Sequence, residues 1–138
     1  DTVVVCRDVE LKRFSANCRS DEIRAGVYAI RNTSAFDAVF TSDGLSKPGS
    51  IIEYIIGGTL SNGVPNIPAL QTAFEANIAS MELLTVRRAD NNLDLIITNP
   101  DGKSSPFYMS PGDYIFAVVA PDAGADVTWC NFEVGEEI

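Results

Sequence analysis

Apolar and polar residues alternate along most of this chain, and the alternation is clearest over residues 81–134. That stretch reads MELLTVRR, ADNN, LDLIITNPDG, SPFYMSPG and DYIFAVVAPDAGADVTWCNFEV. Runs rich in Val, Ile, Leu, Thr, Phe and Tyr are separated by clusters of Asn, Asp, Gly and Pro, the pattern of strands joined by turns. Asp90-Asn91-Asn92 and Asn99-Pro100-Asp101-Gly102 read as tight reversals, and Pro111-Gly112-Asp113 leads into a further strand in the same manner. The expectation is an antiparallel meander whose neighbouring strands pair as hairpins. In its last strand Trp129 and Phe132 fall on opposite faces, so one belongs to the core and the other is partly exposed.

The first half is less regular. Residues 2–6, TVVVC, form a compact β-branched run that reads as an edge strand or as an arm offered to a neighbour. Residues 7–14 alternate loosely around Val9, Leu11 and Phe14, a half-exposed strand, and residues 15–21 read as a polar loop holding Cys18. Ile23, Ala25, Val27 and Ala29 alternate with Arg24, Gly26, Tyr28 and Ile30, and residues 36–41 repeat that pattern after a break, so two strands are expected. Residues 42–50 are a loop, and residues 51–56 a strand buried on both faces that ends at Gly57-Gly58. Residues 66–81 read as a helix: Ile67, Leu70, Phe74, Ile78 and Met81 share one face, Asn66 can cap it, and Pro68 sits in the first turn. The width of that stripe predicts burial across a sheet. Together these elements predict a mainly β fold in one domain, residues 1–138: an antiparallel β-sandwich, jelly-roll-like or Greek-key, of about eight strands with one amphipathic helix.

Composition narrows the partners. The 138 residues are 46% hydrophobic and 21% charged, which places the chain among folded globular proteins able to bury a core. Nineteen acidic against ten basic residues give a formal net charge of −9, a field that repels phosphate backbones and argues against nucleic acid. No apolar run approaches the roughly 18 residues of a membrane helix, so membrane insertion is not expected. An opening Asp1 and three cysteines fit a mature, secreted or surface-displayed chain. Cys6 with Cys18 is the expected disulfide because their short separation closes a loop between neighbouring strands; pairing of Cys130 with either is the rival.

Candidate chemistry is sparse. The chain has no histidine, which removes the commonest general base, metal ligand and triad member. No phosphate-binding glycine loop is present, and an enzyme is not expected. Asp90, Asn92 and Asp94, with Asp101 further along, place oxygen ligands at every second position, the spacing that gathers donors around calcium, although Leu95 stands where an EF-hand loop needs glycine. The competing account is a polar turn whose Asp and Asn satisfy their own backbone. Asn32-Thr33-Ser34 matches the acceptor pattern for N-linked sugar in an expected loop, which makes Asn32 a candidate glycosylation site. Leu93-Asp94-Leu95, Asn99-Pro100-Asp101-Gly102 and Pro111-Gly112-Asp113-Tyr114 together resemble the LDL…PDG…PGxY pattern of extracellular jelly-roll modules such as pre-peptidase C-terminal domains. The resemblance covers about a quarter of the chain and implies a β-sandwich.

The leading expectation for function is structural: a self-assembling subunit, secreted or on a particle surface, of pilus, filament or virion type. In that reading Thr2, Val3, Val4 and Val5 form a terminal strand exchanged with a neighbour. The alternative is an extracellular carbohydrate- or matrix-binding module, in which aromatics among Tyr28, Tyr54, Tyr108, Tyr114 and Trp129 stack on glycan and calcium orders the Asp90 to Asp94 loop.

Overall fold

The computed structural model describes residues 9–18, 22–46, 48, 52–55, 68–100, 103, 105–121 and 127–136. In chain order the elements are β1 (Val9–Cys18), β2 (Ile23–Ile30), α1 (Asp37–Asp43), β3 (Leu45–Ser46), β4 (Glu53–Tyr54), α2 (Pro68–Asn77) running into a 3-10 turn (Ile78–Ser80), β5 (Glu82–Ala89), β6 (Asn92–Ile96), β7 (Phe107–Met109), β8 (Tyr114–Pro121) and β9 (Val127–Glu136). They fall into two compact units, one of Asp1–Arg31 with Glu82–Ile138 and one of Asn32–Met81.

The first unit holds two antiparallel sheets. In one, β1 is central, with β9 along one side and β6 followed by β7 along the other. In the other, β2 is central between β5 and β8. The inward faces of both sheets share one core, in which Leu11, Phe14, Ala16, Cys18, Ile23, Ala25, Val27, Ala29, Leu93, Leu95, Ile97 and Phe107 are buried. The mainly β, sandwich-like class expected from the pattern is therefore the class observed.

The alternation of β2 lies in this sheet as read, with Ile23, Ala25, Val27 and Ala29 inward. β1 is longer than its sequence suggests. Its inward residues are Val9, Leu11, Phe14, Ala16 and Cys18, and the spacing changes phase between Leu11 and Phe14. A register shift against β9 lies at that point, between Leu11 and Arg13. The extra residue of a bulge restores inward burial after one skipped step, so residues 15–18, expected as loop, continue the strand. β6 and β7 both pair with β1, and Ile97 N–H donates to the Lys12 carbonyl in line with that ladder. An isolated bridge joins Thr98, after β6, to Pro106, before β7.

The hairpin expectation is corrected. β5 and β6 flank the Asp90-Asn91 turn but lie in different sheets, as do β1 and β2, β7 and β8, and β8 and β9. A short polar turn serves equally to reverse a strand within a sheet or to carry it across the sandwich, and an alternating pattern on either side is the same in both cases. The turn at Pro111-Gly112 is of type II, with Pro first, Gly112 at φ 90° and Asp113 N–H donated to the Ser110 carbonyl at 3.0 Å. Asp113 Oδ2 accepts from Ser110 N–H at 2.9 Å and from Arg31 Nη1 at 3.1 Å. The Arg31 guanidinium also donates to the Tyr108 carbonyl and lies 4.2 Å from the Phe107 ring centroid. One cation thus ties the end of β2 to β7 and the β7–β8 turn.

In the second unit, residues 37–41 belong to a helix, α1, with Phe36 at its N-cap, and not to the expected strand. Phe36 and Val39 are buried, an i, i+3 spacing that the apparent alternation of Phe36, Ala38 and Phe40 concealed. The Gly44 N–H caps α1 on the Phe40 carbonyl. Of the strand expected over residues 51–56, the described residues 52–55 hold β4, paired with β3, with both of its residues exposed, and residues 51 and 56 lie outside the described residues. α2 is described from Pro68, with the expected cap Asn66 and stripe residue Ile67 outside the described residues; none of the residues of α2 is buried, so its described part is not the expected core stripe.

Candidate functional site

The buried residues of each sheet lie on its inward face, and the outer faces mix polar and apolar side chains. On the outer face of the β1 sheet, Arg13, Ser15 and Asn17 stand opposite Ile96, Asp94 and Asn92 of β6. Asp94 Oδ1 accepts from Ser15 Oγ at 3.2 Å and pairs with Arg13 Nε at 3.2 Å, while Asn17 Nδ2 donates to Asn92 Oδ1. Asn92 and Asp94, two of the proposed calcium ligands, are therefore neighbours on one face whose oxygens hold cross-strand partners. Asp90 is exposed in the preceding turn and Asp101 lies outside the described residues. Among the described residues no three acidic, cysteine or histidine groups converge on a common point.

The aromatics of the glycan reading are dispersed. Trp129 is opposite Asn17 and Tyr108 opposite Glu10, both on this outer face. Seven residues of β1 separate those partners, roughly 23 Å at strand spacing, so the two rings do not flank one sugar. Tyr28 lies on the outer face of the other sheet, its ring over Gly26, where an added Cβ would sit 3.1 Å from Tyr28 Cε2. Tyr114 is opposite Ile30 on β8, and Tyr54 belongs to the second unit. Asn32 is exposed in the turn after β2 with φ 52°, a left-handed conformation that Asn tolerates.

The feature that sequence reasoning missed is an asymmetry between the two sides of the sandwich. On one side β5 approaches β6, and Arg87 Nη1 donates across to the Asp94 carbonyl at 3.2 Å. There Leu93, Leu95, Ile97 and Phe107 are at most 3% exposed. β5 carries Glu82, Arg87 and Arg88, and charges of this kind discourage further strand pairing. On the other side β8 approaches β9. β8 contains no charged residue, and its inward Ile115, Ala117 and Val119 are only partly buried. In β9 the inward positions opposite Phe14 and Ala16 are Phe132 and Cys130; Phe132 packs on Phe14 with centroids 4.8 Å apart, yet it and Val134 remain partly exposed and Cys130 is exposed. Cys130 faces inward at the rim, so burial of its sulfur raises the thiol pKa above the ordinary value even though the residue as a whole meets solvent. Apart from β1, no strand among the described residues pairs with β9.

Among the described residues the result is a seam: a strip of partly exposed core residues along β8 and β9, with β1 as the strand that pairs with β9. A signal for it existed in the contrast between uncharged β8 and charged β5, but reading that contrast needs the sheet order.

Of the other expected sites, Cys18 is buried with its Sγ 3.9 Å from the Glu22 carbonyl oxygen, and Cys130 stands opposite Ala16 rather than Cys18. Cys6, and with it the expected Cys6–Cys18 bond, lies outside the described residues, as do Thr2, Val3, Val4 and Val5. No described helix is long and apolar enough to cross a membrane.

Comparison with family models, with curated proteins and with solved structures finds no match. The likeness to extracellular jelly-roll modules therefore stands on turn chemistry alone, and function is argued from geometry.

Proposed function

We propose that the protein is a structural subunit that assembles with copies of itself, on a particle surface or in an extracellular filament. The observation that carries this reading is the β8–β9 seam. A strand edge exposes backbone N–H and C=O groups at every second residue, and partly exposed apolar side chains beside it gain roughly 25 cal/mol for each Å² removed from water. Those are the two terms that drive addition of a strand from another chain. The guarded β5 edge on the opposite side makes the association directional, as growth of an ordered assembly requires. Electron microscopy of the purified full chain over a range of concentrations tests the reading. Filaments, rings or shells that increase with concentration are expected; dispersed single particles at every concentration would refute it.

A further inference from the structure

The outer face of the sheet formed by β6, β1 and β9 carries a patterned surface that neither the core nor the seam uses. Cross-strand registers place Asn92, Asn17 and Trp129 in one row, Asp94, Ser15 and Asn131 in the next, and Ile96, Arg13 and Glu133 in the third. Three amides, a hydroxyl, two carboxylates and a guanidinium therefore lie side by side, with an aromatic ring at one corner. At strand spacing the three rows cover roughly 10 Å across the sheet and 13 Å along it. Trp129 is 51% exposed, although tryptophan side chains are highly buried on average. Asn131 and Glu133, which follow it on the same face of β9, are exposed as well. Among the described residues neither the Asn131 amide nor the Trp129 indole N–H has a hydrogen-bond partner.

This pattern selects a class of ligand. A side-chain amide offers two donors and an acceptor, a carboxylate accepts only and a guanidinium donates only. Held at fixed spacing on a sheet, such groups match a molecule whose neighbouring hydroxyls each donate and accept. The exposed indole needs a flat, weakly polar C–H face to cover its ring. A pyranose presents both, with hydroxyls around its rim and axial C–H bonds on its faces. Charge narrows the class further. Asp94 and Glu133 outnumber Arg13 on this face and the whole chain carries −9, so anionic ligands are repelled. A protein partner fits less well, because Trp129 and Ile96 are the only apolar side chains of the three rows and the centres of protein interfaces are depleted of charge. Arg13 is paired with Asp94, and Asn17 with Asn92, which orders those side chains before any ligand arrives.

We propose that this face is a binding platform for an uncharged saccharide chain. Trp129 stacks on one sugar ring and Asn131 exchanges hydrogen bonds with its hydroxyls, while Asn17, Asn92, Ser15 and Asp94 meet the unit that follows. One ring and a polar ladder suffice, so the distance to Tyr108 is no obstacle. The platform stands apart from self-assembly, because its residues face away from the core that β8 and β9 share.

Trp129 is the one tryptophan of the chain and makes the platform its own reporter. The full chain, held at one dilute concentration, is titrated with linear hexasaccharides of glucose, of N-acetylglucosamine and of mannose, and with an anionic hexasaccharide of hyaluronan, while tryptophan fluorescence is followed. A saturable change with at least one neutral hexasaccharide and none with hyaluronan is expected. Native electrophoresis in gels containing the polysaccharide of the responding sugar then tests the residues. Trp129→Ala is expected to raise the polysaccharide concentration for half-maximal retardation at least tenfold and Asn131→Ala at least threefold, whereas Trp129→Phe, which keeps a ring, stays within threefold of the unmodified chain. Equal urea midpoints for the variants and the unmodified chain show that these changes are not losses of fold. Absence of a fluorescence change with every neutral hexasaccharide would overturn the proposal. So would retardation that survives Trp129→Ala, or a response to hyaluronan as strong as that to the neutral sugars.

Discussion

At the residue scale, the strongest single device is the carboxylate of Asp113. Its side chain is 4% exposed, and it receives both the Ser110 N–H and the Arg31 guanidinium. Removing it takes the acceptor from the Ser110 N–H and the anionic partner from Arg31, which keeps only the Tyr108 carbonyl and the Phe107 ring among these contacts. Asp113→Ala is therefore expected to lower the unfolding free energy by about 2 kcal/mol, measured by urea denaturation. A loss below roughly 0.5 kcal/mol would show that water replaces the carboxylate at no cost. The Arg13–Asp94 pair is a contrast, because its side chains are 43% and 59% exposed and solvent screens it. Cys130 supplies a pH-dependent probe. Its folded pKa is raised by burial, so the neutral thiol is favoured in the native state; the stabilisation is present below the ordinary thiol range and is lost as pH rises through the folded value. Alkylation of native Cys130 should consequently reach half its limiting rate at a higher pH than alkylation of the urea-unfolded chain. Coincident profiles would contradict the seam geometry.

At the element scale, β9 carries the account. Cys130→Lys places a long cation at an inward but exposed rim position, where the side chain can reach water as long as the seam is open. A strand laid over the seam would bury that charge. The variant is expected to fold, with a stability change of about 1 kcal/mol or less, and to lose assembly; retention of assembly would show that the seam stays uncovered. The same scale shows what the sequence could convey. The period of two in β2, the opposite faces of Trp129 and Phe132, and the turn at Pro111-Gly112 were all legible, because each depends on residues close together in the chain. β1 outruns its sequence pattern because the bulge between Leu11 and Arg13 shifts its phase, and a fixed-period pattern ends at such a shift. α1 carries a strand-like pattern because seven residues contain too few turns to separate a spacing of three from a spacing of two. Sheet order was beyond reach for a different reason. A four-residue polar turn carries the same signal whether the chain turns back within one sheet or crosses to the other, and the open seam is a consequence of that order alone. The cross-strand partners of Asp94 and Asn92 were out of reach likewise, since Ser15, Arg13 and Asn17 lie more than seventy positions away in the chain.

At the scale of the whole molecule, charge and seam act in opposition. A net charge of −9 keeps copies apart at long range, whereas the seam is attractive only on contact. Salt shortens the range of the repulsion, from about 14 Å at 0.05 M to about 4 Å at 0.5 M, and leaves the apolar contact largely unaffected. Assembly followed by light scattering is therefore expected to accelerate as salt is raised over that range, and deceleration would indicate that ion pairs, not apolar strand addition, hold the copies together. In the proposed assembly the β5 side, guarded by Arg87 and its neighbours, leaves each subunit one receptive side. The most direct test compares the unmodified chain with Cys130→Lys by sedimentation velocity at matched concentration and about 0.15 M salt. The account predicts a heavy boundary that grows with concentration for the unmodified chain and a single monomer boundary for the variant. Identical distributions for the two proteins would contradict it.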